Sequence, residues 1–267
     1  MLQQTQVDRV VPQFVAFVAG FPEVAALAAA STADVVRAWK GLGYNARAIR
    51  LKAAAETVAT RHGGAMPSDA RALRALPGVG EYTAAAIRAF AFGLDDAPVD
   101  TNVRRIVHRM YFGIEFPPRA SVRDLGERAR ALASPGRAHD WNSALMDLGA
   151  TICRARAPQC SICPLRGACA AAPIDRDDLE RRRAKATSAR SNRKPIPFAE
   201  TARYARGRIV DRLRELPPGE RISLLDLHRC LAPALPARSA DDVRELVSGL
   251  ARDGLVAADG EDFALPD

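Results

Sequence analysis

The sequence predicts a mostly α-helical protein that ends in a small winged-helix-like domain. Over the first 172 residues, apolar residues recur at helical spacing and alternating runs are few. Alanine and leucine, which favour helices, are abundant there, and short segments with glycine or proline separate the helical stretches. After residue 200, three further helical stretches precede two short strands around Asp259-Gly260, which is the order of a winged helix.

The individual helices are predicted from the places where apolar residues recur every three or four positions. In the first part they are Val11–Val18, Ala33–Trp39, Ala46–Arg61 and Asp69–Ala75, and in the last part Tyr204–Leu213, Leu224–Leu231 and Ser239–Arg252. Residues 173–200 are highly charged and have few apolar side chains to anchor them, which predicts a mobile basic linker. A helix from Asp175 to Lys185 is the alternative for that stretch.

The charge of the chain favours a polyanionic partner such as nucleic acid. Its formal charge is +8 and its pI is about 9.7. The net charge is +7 over residues 1–172, +3 over 173–200 and −2 over 201–267, so the first part and the linker are expected to meet the phosphates. The acidity of the last part favours a structural or protein-binding role there. No apolar run reaches the roughly 18 residues of a membrane span, and the N-terminus lacks the layout of a secretory signal, which together predict a cytoplasmic protein.

Two glycines flank a valine in the segment Leu76-Pro77-Gly78-Val79-Gly80, between two helical stretches. Glycines permit a tight hairpin, after which the backbone N–H groups at the start of the next helix point outward. Such groups can hold a phosphate without reading a base. An ordinary turn between helices is the alternative interpretation of these residues taken alone.

A carboxylate follows this hairpin at a fixed distance. Asp100 lies 20 residues after Gly80, in the segment Val-Asp-Thr-Asn-Val-Arg-Arg, at the start of another predicted helix. Taken alone, an aspartate in that place indicates a helix N-cap. Its combination with the hairpin and the apolar helix between them is what makes it a candidate for chemistry.

Four of the five cysteines fall in one short window, as Cys-x6-Cys-x2-Cys-x5-Cys. They are Cys153, Cys160, Cys163 and Cys169. In a cytosolic chain this clustering favours a metal site over disulfides, and zinc is the generic candidate for four thiolates. The fifth, Cys230, lies apart and is expected to be a plain core residue.

Together these motifs resemble the helix-hairpin-helix DNA glycosylases, and most widely the MutY adenine glycosylases. The likeness covers residues 1–170 through MLQQTQV (1–7), WKGLGYNARA (39–48), LPGVGEYTAAAI (76–87), VDTNVRR (99–105) and NSALMDLGATICRARAPQCSICPL (142–165). It implies a two-lobed glycosylase fold with an iron-sulfur loop. The implied domains are a helix-hairpin-helix domain over 1–95 with an incomplete first helix, an iron-sulfur domain over 96–172, the linker over 173–200 and the winged-helix-like domain over 201–267.

The resemblance also implies roles for individual residues. Asp100 would stabilise the oxocarbenium character that builds on the deoxyribose as the base departs, and would attack C1′ or activate a water. The cysteine spacing is that of the 4Fe-4S loop in the endonuclease III and MutY branches, which implies a structural or DNA-positioning cluster. The residues implied at the DNA are Gln3, Gln4, Thr5, Asn45, Gly78, Val79, Gly80, Tyr82 and Asn102, together with a basic loop of Arg154, Arg156 and Arg166.

Three departures from the MutY pattern bear on activity. The catalytic glutamate of those proteins lies two residues before the methionine that stands here at position 1, so the acid that protonates adenine is expected to be missing. A start codon assigned too late, or a degraded gene, explains this better than a different chemistry. Tyr82 replaces the lysine nucleophile of bifunctional members, which predicts no efficient β-lyase activity. Asn45 replaces a second tyrosine that serves as a wedge, and the winged-helix-like domain replaces the domain that inspects 8-oxoguanine.

The function expected from the resemblance is base excision by a monofunctional, monomeric DNA glycosylase acting on double-stranded DNA with a mismatch or lesion. The favoured target is adenine opposite guanine or 8-oxoguanine. Tyrosine at position 82 also resembles the mismatch thymine glycosylases, so a thymine or uracil glycosylase is one alternative. The other is a non-catalytic DNA-binding protein that kept the scaffold and lost the acid.

Overall fold

The computed structural model describes residues 1–2, 5–133, 135–188 and 196–267, and Gln3, Gln4, Ser134 and 189–195 lie outside the described residues. The α-helices within these ranges are α1 (Val7–Gly20), α2 (Val24–Ala29), α3 (Thr32–Ala38), α4 (Ala46–Arg61), α5 (Ala70–Arg74), α6 (Glu81–Ala86), α7 (Thr101–Phe112), α8 (Val122–Leu132), α9 (Ala138–Thr151), α10 (Arg176–Ser188), α11 (Ala202–Arg214), α12 (Leu224–Leu231) and α13 (Ala240–Arg252). The strands are β1 (Ile222–Ser223), β2 (Ala257–Asp259) and β3 (Asp262–Ala264). Within the described ranges, no helix has the length and apolarity needed to cross a bilayer.

The prediction of a mostly helical fold is confirmed. Helix α4 has the predicted bounds, and α1 starts four residues earlier than predicted. Side chains at the helix starts explain several boundaries. Ser31 accepts a hydrogen bond from the backbone N–H of Asp34 at 3.0 Å, and Asp69 accepts from Arg71 and Ala72 at 3.0 and 2.8 Å, so each satisfies amides that have no partner within the helix.

One compact unit combines the two ends of the chain. It contains Met1–Pro67, Leu76–Gly78 and Pro195–Asp267. Part of its core lies among α1, α2, α3 and α4, where Trp39 is 2% exposed and Phe17 packs edge-on against it. The exposed face of α1 is unusually apolar, because Val11, Phe14 and Val15 are each more than half exposed.

Residues 201–267 have the winged-helix order that the sequence predicts, with one addition. Strands β2 and β3 form the hairpin around Asp259-Gly260, where Gly260 has a φ of 60°. Strand β1 pairs antiparallel with β3, so the sheet order is β1-β3-β2. Strand β1 was not predicted from the sequence, because two residues are too short for an alternating pattern to be recognised.

The C-terminal helices share a core with the N-terminal ones. The predicted domain boundary between residues 200 and 201 therefore does not separate two cores. Ile209 and Leu213 of α11 are fully buried in one cluster with Val36 of α3. The backbone N–H of Ala33 donates to the carbonyl of Pro266 at 2.7 Å. Residues 201–267 are therefore part of the unit that contains the first helices, because the apolar stripe of α11 is covered by α3 rather than only by its own neighbours.

The expectation that Cys230 is a core residue is wrong. Its side chain is exposed, while Leu224, Leu227 and Leu231 of the same helix are buried. Cys230 therefore lies outside the apolar stripe of α12.

The second compact unit contains Ser68–Ala75 and Val79–Lys194. Its core lies where α7 packs against α8 and α9, and includes Val103, Ile106, Val107 and Leu145. The predicted boundary between residues 95 and 96 falls inside this unit, because the π-helical turn Ile87–Ala91, which continues α6, packs against α9.

Part of the predicted mobile linker is helical, as the alternative interpretation held. Helix α10 covers 176–188, and the Asp175 carboxylate accepts hydrogen bonds from the N–H groups of Asp177 and Asp178 at its start. Leu179 is 0% exposed and anchors the helix. Arg182 and Asp178 form an ion pair at 2.7 Å at i,i+4 spacing. A single buried leucine, one cap and local ion pairs order a stretch whose composition alone predicts mobility.

Candidate active site

Asp100 is the N-cap of α7, and this cap fixes the direction of its carboxylate. Oδ1 accepts hydrogen bonds from the backbone N–H groups of Asn102 and Val103 at 2.8 and 2.7 Å. Oδ2 accepts from the Nδ2 of Asn102 at 3.2 Å. The side chain is half-buried. The simple N-cap interpretation is therefore correct as geometry, and the cap leaves Oδ2 with a lone pair for a further partner.

Asn102 connects Asp100 to a half-buried arginine, Arg105. Its Oδ1 accepts from the Nη2 of Arg105 at 3.0 Å, and the same nitrogen donates to the carbonyl of Gly149 at 2.7 Å. The Nε of Arg105 donates to the carbonyl of Cys153 at 2.8 Å. A continuous chain of hydrogen bonds thus links the carboxylate of Asp100 to the backbone at the first cysteine of the loop.

The segment before Asp100 is anchored at Asp96. Its carboxylate forms an ion pair with Nε of Arg88 at 3.0 Å, and its carbonyl accepts from the Nδ2 of Asn142 at 2.9 Å. Asn142 is 0% exposed, and Arg88 lies on the π-helical turn 87–91 that continues α6. Asp100 is consequently held from both sides, by this anchor and by α7.

Tyr82 lies on α6 close enough to Asp100 for their charges to interact. Burial, and then the negative charge of Asp100, raise the pKa of the Tyr82 phenol above its usual value. The ring is 40% exposed. The phenol is therefore neutral at physiological pH and can donate a hydrogen bond, while no amine is present at this position to form a Schiff base.

The glycines of the 76–80 segment have the conformations that a tight hairpin requires. Gly78 has a φ of 77°, and a Cβ at that position would lie 2.9 Å from the Cβ of Arg50. Gly80 is the N-cap of α6 and has no side chain to bond the first amides of the helix. Val79, between them, is partly exposed. The start of α6 therefore has no side-chain cap from Gly80, which is the geometry that suits an anion at a helix N-terminus.

Thr5 and Asn45 lie around a turn in the other compact unit, at residues 41–47. Thr5 donates from Oγ1 to the carbonyl of Leu42 at 3.3 Å and accepts from Nη2 of Arg47 at 2.9 Å. Asn45 accepts from Nη2 of Arg214 at 2.9 Å. The predicted roles of Gln3 and Gln4 concern positions outside the described residues.

The four clustered cysteines line one cavity. Its wall also includes Arg109, Ile152 and Pro158. Among the residues described, no group of three or more His, Cys, Asp or Glu side chains is arranged to hold a metal ion directly. Burial raises the pKa of the Cys169 thiol, while the backbone N–H groups of Ala171 and Ala172 act in the opposite direction.

A buried arginine faces this cavity and is paired. Arg109 is 1% exposed and forms two 2.7 Å bonds with the carboxylate of Glu115. Its Nη1 lies 3.5 Å from the Sγ of Cys153 and 3.0 Å from the carbonyl of Arg154. Burial works against the charge, but the hydrogen bonds and charge of Glu115 raise the pKa of Arg109. A permanent positive charge therefore faces the sulfur atoms.

The structure brings Tyr82, Asp100, Asn102 and the four cysteines into one compact unit and Thr5 and Asn45 into the other. The arginines that hold these residues were not identified from the sequence: Arg47, Arg105, Arg109, Arg203 and Arg214. Arg47 and Arg105 lie within the segments 39–48 and 99–105, three positions after Tyr44 and Asn102, and this spacing could have identified them. Nothing in the sequence distinguishes Arg203 and Arg214 from the other arginines among the ten after residue 200.

Comparison with known proteins gives a consistent result. A family model described as an HhH-GPD superfamily base excision DNA repair protein matches residues 1–130. An adenine DNA glycosylase of Mycolicibacterium smegmatis is 39% identical over 264 residues, which is 98% of this chain and 85% of that protein. An adenine DNA glycosylase of Mycobacterium tuberculosis is 42% identical over 217 residues, covering 80% of this chain and 67% of that protein.

Solved structures agree on the fold. A thermostable thymine-DNA glycosylase is 33% identical, with a TM-score of 0.58 over 63% of this chain and 78% of that one. A non-covalent endonuclease III–DNA complex is 22% identical, with a TM-score of 0.57 over 67% of this chain and 81% of that one. At that identity the second likeness concerns the fold alone.

Proposed function

The chain belongs to the adenine DNA glycosylases of the HhH-GPD superfamily, and we propose that it excises adenine paired with guanine or 8-oxoguanine without cutting the strand. It is a DNA N-glycosylase of base excision repair whose partner is DNA. The preferred opposite base, the absence of strand cleavage and a monomeric state are parts of the proposal.

The geometry of Asp100 is the observation that carries the proposal. Three donors hold its carboxylate, and two of them are backbone amides of α7. An anion fixed in this way can stabilise positive charge on a deoxyribose without first having to reorient. As the N-glycosidic bond breaks, Asp100 would stabilise the oxocarbenium ion or deprotonate the water that attacks C1′.

Tyr82 supports a hydrolytic reaction that stops at base removal. A lyase step needs an amine to form a Schiff base with the opened sugar, and the neutral phenol of Tyr82 cannot supply one. Borohydride reduction during turnover should therefore trap no covalent adduct with DNA. Trapping in good yield would contradict this part of the proposal.

DNA binding is assigned to backbone amides and to exposed arginines. The start of α6, after Gly78, Val79 and Gly80, has no side-chain cap from Gly80 and suits a phosphate. Arg154, Arg156 and Arg166 on the cysteine loop are all exposed. Removing one arginine that meets a phosphate should reduce the slope of log affinity against log salt by about 0.9, so arginine-to-alanine variants show which of these side chains bind the DNA backbone.

The residues of the 153–169 loop fit a 4Fe-4S cluster held by Cys153, Cys160, Cys163 and Cys169. Sulfur atoms on one zinc ion lie about 3.8 Å apart, since each Zn–S bond is about 2.3 Å. Four thiols that line one pocket but form no ready single-ion site suit a larger, multi-atom centre. A bound cluster would cross-link the loop and stabilise its basic surface. Iron and sulfide analysis of the purified protein tests this against zinc.

The central test compares two aspartates with the same local geometry. Asp100 and Asp69 both cap helices through two backbone amides, and asparagine caps a helix about as well as aspartate. Asp100→Asn should lower the rate of adenine release by about 100-fold or more while the unfolding midpoint stays near the wild-type value. Asp69→Asn should leave the release rate unchanged. Equal activity of both variants would refute the role of Asp100.

Substrate choice is tested with duplexes that contain A·G, A·8-oxoguanine, T·G and U·G pairs. Preference for T·G or U·G would favour the second candidate, a mismatch thymine or uracil glycosylase, which Tyr82 and the 33% identity to the thymine-DNA glycosylase support. The panel is run on chain 1–267 and on the same chain preceded by Ser-Glu-Val, because the resemblance assigns the general acid to that segment. Binding of lesion duplexes without base release by either form would contradict a catalytic role.

A further inference from the structure

The backbone of the turn at residues 43–45 is strained. Tyr44 has a φ of 47°, and among the described residues it is the one non-glycine residue with a positive φ. A residue with a side chain adopts this conformation at a cost and keeps it only where its surroundings hold it. The Tyr44 ring is nevertheless 41% exposed, so packing alone does not hold it.

Two arginines of α11 add to the restraint from Arg47 of α4, whose guanidinium carbon lies 5.7 Å from the centroid of the Tyr44 ring. The guanidinium carbon of Arg203 lies 3.7 Å from the centroid of the Tyr44 ring, a close cation–π stack. Nη2 of Arg214 donates to Oδ1 of Asn45 at 2.9 Å. Arg203 and Arg214 thus hold consecutive residues of the turn, one by its ring and the other by its amide.

Arg214 is itself rigidly fixed. Its side chain is 4% exposed, its Nε donates to the carbonyl of Val36 at 3.0 Å, and its Nη1 forms an ion pair with Asp211 at 2.7 Å. A buried guanidinium must have all its partners in place to be tolerated. The contact with Asn45 is therefore part of a satisfied network that fixes α11 against α3 and the start of α4.

We infer that α11 is a positioning element for base excision, in which Arg203 and Arg214 hold Tyr44 and Asn45 in the conformation that meets DNA. This rests on the proposed function, which assigns Asn45 to the DNA surface. The segment 201–267, whose net charge is negative, would thus contribute to the reaction by positioning the turn and not by contacting phosphates. Arg203 and Arg214 are positioning residues, since neither is assigned to the reacting atoms.

The test is a double-mutant cycle between Arg203 and Tyr44. Wild type, Arg203→Ala, Tyr44→Ala and the double variant are compared for the rate of adenine release and for the fluorescence of 2-aminopurine placed beside the adenine in an A·8-oxoguanine duplex. The fluorescence reports local unstacking and needs no chemistry. Arg229→Ala, which removes one exposed positive charge from α12 away from the turn, is the matched control.

Removing the stack should weaken both signals about two- to five-fold, the range expected for an exposed cation–π contact. Because Arg203 acts through Tyr44, the double variant should match Tyr44→Ala. Arg203→Lys should recover part of the loss, and Arg229→Ala should behave as wild type. Circular dichroism and the unfolding midpoint of Arg203→Ala should match those of wild type, because both partners of the stack are exposed.

Additive losses in the double variant, together with a lower salt dependence of binding for Arg203→Ala, would overturn the inference, because Arg203 would then contact phosphate itself. An unchanged unstacking signal in Arg203→Ala would overturn it too, as would the absence of any unstacking by wild type. If wild type unstacks the duplex but releases no adenine, the proposed function is wrong. The double-mutant cycle measured by 2-aminopurine fluorescence then still shows whether α11 positions the turn.

Discussion

A methyl group at position 149 would test whether α9 holds the hydrogen-bond network of Asp100. Gly149 is buried on α9, and an added Cβ would lie 2.7 Å from the Cβ of Asn102 and 3.3 Å from the Cδ1 of Ile106. Real Cβ atoms essentially never come as close to another atom as the first of these two distances. The first of these atoms is fixed by the backbone of α7 and cannot rotate away, so Gly149→Ala must displace Asn102 or separate the two helices.

The magnitude follows from two opposing effects. Replacing glycine by alanine inside a helix stabilises it by about 0.8–1 kcal/mol. Overpacking of a tight contact costs about 1–3 kcal/mol, so a net loss of about 0–2 kcal/mol in the free energy of unfolding is expected, in place of the gain that an unhindered alanine would give. A hydrogen bond to a charged group contributes about 1.5–3 kcal/mol, so loss of the bond from Asn102 to Asp100 should slow adenine release about 10- to 100-fold.

Denaturant unfolding and single-turnover adenine release measure the two effects, with Gly126→Ala as the control. Gly126 also lies in a helix of the same compact unit, but an added Cβ would meet only the guanidinium of Arg130, at 3.8 Å. That variant should be more stable than wild type and fully active. If Gly149→Ala were stabilised to the same extent and released adenine at the wild-type rate, the close packing of α9 on Asn102 would not control Asp100.

Three further outcomes are expected. The raised pKa of Tyr82 means that the folded protein keeps the phenol proton more tightly than the unfolded chain does. The free energy of unfolding should therefore fall as the pH rises above about 10, the usual pKa of an unfolded tyrosine, and should fall less in Tyr82→Phe. Unfolding at several pH values measures this difference. Glu115→Gln leaves the buried Arg109 without its anionic partner, which should lower the free energy of unfolding by about 3–5 kcal/mol and lower the iron content per chain. An unchanged iron content would contradict the assignment of Arg109 to the surroundings of an iron-sulfur cluster. Substituting Val11 and Val15, which are 54% and 64% exposed, with glutamine should raise the concentration at which the protein aggregates in light-scattering assays without lowering the unfolding midpoint.

The sequence predicted the local structure of the candidate site well because that structure depends on short-range chemistry. An aspartate before a helix caps it, and Asp100 does so. Glycines in a hairpin take positive φ values, and Gly78 does so. The four cysteines of one short loop share one cavity, since the chain between them is too short to separate them widely. In each case the residue type and its neighbours determine the outcome.

What the sequence could not supply were contacts between distant parts of the chain. Arg214 reaches Asn45, 169 positions away, and no periodicity or spacing indicates that pair. The linker prediction was wrong over α10 because one leucine, Leu179, has a buried site that only the folded unit provides. The boundary at residue 200 differs for the same reason, since the composition of α11 does not reveal that α3 covers its apolar stripe.

The bond between Ala33 and Pro266 has a consequence for synthesis of the chain. The second residue of α3 emerges from the ribosome more than 230 positions before the carbonyl that pairs with its amide. At a translation rate of about 5–20 residues per second, the apolar side of α3 stays uncovered for many seconds. During this time the nascent chain can aggregate or be bound by chaperones. Truncations that remove residues 263–267 should therefore lower the soluble yield of the whole protein, although they leave every N-terminal helix intact.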